Sequence, residues 1–81
     1  MADEQISDRI ESLVKEEHEL LDRGGNQGGL DAAGHARLEE IRVELDRYWD
    51  LLRQRRARRR AGEDPEGASR RDADTVEHYL Q

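Results

Sequence analysis

The sequence predicts an all-α protein: an antiparallel helical hairpin with a long second helix and a short C-terminal helical segment. Three observations carry that prediction. Apolar residues recur in steps of three and four on both sides of one glycine-rich stretch, GGNQGG. Of the 81 residues, 42% are charged and 33% hydrophobic, which suits a thin helical core better than a compact α/β domain. The two apolar stripes also face each other in register, since Glu17 with Leu38, Leu13 with Ile41, Ile10 with Leu45 and Ile6 with Tyr48 keep a nearly constant sum of residue numbers.

Ile6, Ile10, Leu13, Val14, Leu20 and Leu21 form the first apolar set, with Glu17 where the pattern skips, and predict an amphipathic helix over about residues 5–23. Residues 24–30 form the turn, because glycine favours the left-handed backbone at a helix C-terminus and destabilises a helix interior. Asp31 is the expected N-cap of a second helix over about residues 31–61, although Gly34 stands where a capping box places Glu. Leu38, Ile41, Leu45, Tyr48 and Leu52 step at coiled-coil spacing, and Trp49 widens their stripe. The next breakers are Gly62 and Pro65, opening a linker over residues 62–73. Asp74 and Glu77 then have capping-box spacing, and Val76, Tyr79 and Leu80 share one short apolar face, which predicts a helical turn over residues 74–81.

At 1.5 Å per residue the first helix spans about 28 Å and the second about 46 Å, so about twelve residues from Asp50 onward are expected to overhang without a partner helix. A core this thin leaves the monomer marginal. Self-association covering the overhang, as an antiparallel dimer or a higher homo-oligomer, is the expected remedy.

The formal net charge of -6 hides an acid, base, acid block pattern, in which LLRQRRARRR, residues 51–60, carries six arginines between acidic flanks. With no cysteine, neither a disulfide framework nor a thiolate metal site is open to the chain. The acidic N-terminus has no signal-peptide core and no run approaches a membrane span, so a soluble cytoplasmic protein is expected.

EEHELLDR, WDLLRQRRARR, AGEDP and TVEHYLQ, in that order and across essentially the whole chain, resemble a small actinobacterial family grouped as a domain of unknown function. The resemblance implies an actinobacterial, cytoplasmic source. It carries over no activity, ligand or catalytic residue.

No constellation supports catalysis. GGNQGGLD has the glycine spacing of a phosphate loop but places Leu30 and Asp31 where Lys and Ser or Thr are needed. His18 sits among carboxylates, yet Lys15 occupies the position that a Glu-x-x-His metal motif requires, so no metal or other cofactor is expected. Glu17 is read as an edge salt-bridge partner of Arg37, setting register. On a helical wheel Arg55, Arg56 and Arg59 continue near the apolar stripe, whereas Arg53, Arg58 and Arg60 point away. The expectation is therefore a non-enzymatic interaction or assembly module using Tyr48, Trp49, Leu52, Arg55, Arg56, Arg59, Val76, Tyr79 and Leu80 toward itself or a protein partner. The alternative is a small nucleic-acid- or ribosome-associated regulator using the arginine-rich end of the second helix.

Overall fold

A computed structural model of the chain describes residues 1–26 and 29–80, the side chains of 26, 79 and 80 excepted. Helix α1 (Asp3–Asn26) and helix α2 (Ala32–Arg60) form the hairpin, a 3-10 turn (Pro65–Gly67) follows, and α3 (Ala73–Leu80) ends the chain. Ile6, Ile10 and Leu20 of α1 pack with Leu38, Ile41, Leu45, Tyr48, Leu51 and Leu52 of α2.

Helix α1 is longer than its apolar pattern predicts at both ends. At its start the Ala2 N–H donates to the Gln5 side-chain oxygen (2.8 Å), and Asp3 and Glu4 place negative charge at the positive end of the helix dipole. Neither signal is hydrophobic, so periodicity misses both. At its end the helix runs through Gly24 and Gly25, and the Gly29 N–H donates to the Gly24 carbonyl (2.6 Å) with Gly29 at a positive φ of 118°. Gln27 and Gly28, within the predicted turn, lie outside the described residues.

The start of α2 explains Gly34. Asp31 caps the helix by accepting from the Gly34 N–H (2.7 Å), and Leu30 folds back over the junction against the core. A Cβ on Gly34 would lie 3.1 Å from Leu30 Cδ2 and 3.1 Å from Asp31 Oδ1, and a Cβ on Gly24 would lie 3.1 Å from Leu30 Cγ. Both glycines make room for Leu30.

After α2 the chain reverses at Gly62 (φ 76°) and returns along the helix. Gln54 Nε2 donates to the Ser69 carbonyl (2.7 Å) and Arg47 Nε to the Arg71 carbonyl (3.1 Å), fastening the extended stretch that leads to α3. The cap of α3 is Asp72, whose side chain accepts from the Thr75 N–H (2.9 Å), and not the expected Asp74. With the cap two residues earlier than expected, Val76 is fully buried and Glu77 lies beside Asp46 of α2.

The two neighbours of α2 lie on opposite sides of it: α1 covers the Leu38–Ile41–Leu45–Tyr48–Leu52 side, and α3 covers the side of Asp46 and Asp50. The elements thus form a single slab, 51 × 26 × 15 Å. Its radius of gyration of 15.1 Å exceeds the about 12 Å expected of a compact domain of this length. Domains ordinarily stack two layers; here, among the described residues, no second layer covers the flat sides of α2.

Candidate interaction face

The arginine-rich end of α2 does not overhang. Because α1 begins at Asp3, its first turn reaches the guanidinium groups: Arg55 Nε donates to one Asp3 oxygen and Arg59 Nη2 to the other (2.6 Å). Arg55 also donates to the Pro65 carbonyl (3.2 Å) and to Glu66 Oε1 (3.1 Å), and Glu66 meets the N-terminal amine at 3.6 Å. Arg55 is only 5% exposed. It ties the chain start, the end of α2 and the return segment together, so it is an internal clamp and not a surface contact. The hydrogen bonds from Arg55 and Arg59 hold the Asp3 carboxyl below the ordinary aspartate range, and the Asp3 hydrogen bond raises Arg55. Arg58 is likewise engaged, reaching Glu63 at 3.4 Å and lying over Gly67, where a Cβ would meet its Nη1 at 2.6 Å.

The expected Glu17–Arg37 pair resolves into two pairs, one on each side of the Leu38 stripe. Arg37 makes a two-point contact with Glu16 (2.6 and 2.7 Å), and Glu17 meets Arg42 at 3.6 Å. Glu17 and Leu38 face each other across the seam, so the acids flanking the seam reach the basic residue on their own side. The Arg37 hydrogen bond lowers the Glu16 carboxyl and raises the guanidinium.

Tyr48 and Leu52 are buried in the core, 8% and 5% exposed, and Val76 is wholly covered. The side chains of Tyr79 and Leu80 lie outside the described residues. The expected docking of the tail around Trp49 and Leu52 is corrected: α3 takes the other side of α2, and Trp49 stays 50% exposed while its neighbour Asp50 is 2% exposed. Successive residues of a helix lie 100° apart, and here that angle separates an open face from a covered one. Asp50 accepts from Gln54 Nε2 (2.9 Å) and meets Arg71 at 3.6 Å, so charge partners on the return segment draw it inward. Arg70 stacks over the Tyr48 ring, 4.5 Å from its centroid, and pairs with Glu44. Counting Arg70 and Arg71 as partners for Glu44 and Asp50 was the signal available in the sequence.

The remaining face of α2 repeats at seven-residue intervals: Arg42, Trp49 and Arg56 along one line, Arg53 and Arg60 along the next. All five are exposed. Arg56 was expected on the apolar side of the helix and Arg60 away from it; both lie on this face with Trp49. The opposite face carries an open groove of about 880 Å³ between α1 and α2, lined by Leu13, Val43 and Tyr48 with the Glu16–Arg37 pair at its wall. No helix among the described residues is long and apolar enough to cross a membrane.

Two uncharacterized mycobacterial proteins are similar along nearly their whole length. One is from Mycobacterium tuberculosis and one from Mycobacterium bovis, each 43% identical over 77 residues, covering 95% of this chain and 88% of the relative. No solved structure matches the chain. Residues 2–81 match the family described as "Protein of unknown function (DUF2630)", and the chain belongs to that family.

Proposed function

We propose that this chain is a non-enzymatic protein-interaction module that self-associates through the face of α2 around Trp49. One observation carries the reading: Trp49 is 50% exposed on a helix whose two other sides are occupied by α1 and α3. Tryptophan and arginine are the residues that most often dominate protein interfaces, and the Trp49 face presents them together. The slab geometry points the same way, because a second copy laid on that face supplies the missing layer.

The nucleic-acid reading loses much of its basis, because Arg55, Arg58 and Arg59 are engaged by Asp3, Glu66 and Glu63. Sedimentation equilibrium of the wild type and of Trp49→Ala tests the proposal. A dimer or higher oligomer that the substitution dissociates supports it. A wild type that stays monomeric at high micromolar concentration, or oligomers indifferent to Trp49→Ala, would refute it.

A further inference from the structure

Resting on the self-association reading above, we infer that the partner is a second copy held by two equivalent charge contacts: Arg56 and Arg60 of each chain meet Asp8 and Glu11 of the other. Glu4, Asp8 and Glu11 are exposed and recur at helical spacing on the outer side of α1, away from Ile6 and Ile10. Among the described residues, the acids of α1 that form ion pairs are Asp3, Glu16 and Glu17, which leaves this outer stripe to solvent. Arg56 and Arg60 are exposed in the same way, whereas Arg55, Arg58 and Arg59 are consumed within the chain.

Position decides the arrangement. The antiparallel hairpin sets the start of α1 beside the end of α2, as the contacts of Asp3 with both Arg55 and Arg59 demonstrate. The same register, with Glu16 beside Arg37 and Asp3 beside Arg55, sets Asp8 and Glu11 level with the middle of α2, while Arg56 and Arg60 stand at its end. A two-fold axis crossing α2 near Leu52, midway between the two patches, presents each arginine pair to the other copy's acids simultaneously, so the contact closes on itself and does not propagate into a chain. Complementary charge also explains how two molecules of net charge -6 associate, since the opposed patches meet locally while like-charged surfaces stay apart.

Charge reversal tests this directly. R56E/R60E and D8R/E11R substitute exposed positions, and each variant is first checked by circular dichroism for wild-type helicity. Alone, each should self-associate at least about tenfold more weakly than the wild type, because both contacts become repulsive. Mixed in equal amounts they should recover wild-type association at a mass of two chains, because a mixed pair restores both contacts at once. Variants that associate as the wild type does, or a mixture that stays monomeric, would overturn the inference. Oligomers lost in Trp49→Ala but insensitive to both reversals would overturn it while leaving self-association standing, whereas a monomeric wild type would defeat the underlying reading itself. Wild-type binding of single-stranded RNA that R56E/R60E abolishes without changing self-association would assign the arginines to nucleic acid and overturn it as well.

Discussion

Replacing Val76 by Ala probes whether α3 is a separately docked unit. Val76 is 0% exposed yet stands apart from the cluster that joins α1 to α2, so its contacts hold the eight-residue α3 and not the hairpin. A helix that short is not stable alone in water. The substitution removes two methyl groups worth about 0.8 kcal/mol each in transfer free energy, and the cavity left behind brings the cost to about 1.5–3 kcal/mol. Hydrogen exchange resolved by residue reads where that cost falls. Amides of α3 should lose about tenfold to about a hundredfold of their protection, at 1.4 kcal/mol per factor of ten, while those in the middle of α1 and α2 keep theirs. Equal loss of protection across all three helices would show one cooperative unit, and no loss in α3 would show that Val76 does not anchor it.

Gly34→Ala should lower the melting temperature, although alanine is the better helix former by about 1 kcal/mol, because the new methyl would press on Leu30 and on the Asp31 cap; a higher melting temperature would mean that Leu30 yields freely. Arg55→Lys should expose the N-terminal turn and the 62–68 segment to protease, since one ammonium cannot replace the guanidinium contacts to Asp3, Pro65 and Glu66, whereas Arg56→Lys should change nothing. A hydrogen bond with Asp46, burial, and the nearby Asp46 and Glu39 charges raise the Glu77 carboxyl. Docked α3 therefore binds a proton more readily than free α3, and docking weakens as pH rises through the raised value. Glu77→Gln should remove that loss and increase protection of α3 at neutral pH. The lowered Asp3, Glu16 and Asp72 act in the opposite sense, contributing stability above the ordinary carboxylate range that is lost as pH falls through their lowered values. Acid melts of Asp3→Asn should lack part of that decline.

The hairpin was legible because burial on one side of a helix writes itself as steps of three and four, and Leu38, Ile41, Leu45, Tyr48 and Leu52 occupy the core as that pattern requires. What was not legible depends on polar partners distant in sequence. Nothing local marks Asp3 as the partner of Arg55, more than fifty positions away, so the end of α2 read as an overhang. Trp49 and Asp50 invert the usual rule, with the indole outside and the carboxylate inside, because α3 and its leading arginines approach on the Asp50 side. Covering α2 from two opposite sides also spreads its buried positions around the wheel. The face that remained, with Trp49, Arg56 and Arg60, emerges only once both coverings are in place.

The most direct measurement of that face uses the protein's own reporter, since Trp49 is its single tryptophan. Emission and acrylamide quenching are followed from nanomolar to high micromolar concentration, with mass measured by light scattering on the same samples. Self-association through this face predicts that the indole is accessible in the dilute chain and becomes shielded, with emission moving to shorter wavelength, over the concentration range in which the mass doubles. A mass that doubles while Trp49 emission and quenching stay constant, or a mass that never doubles, would contradict it.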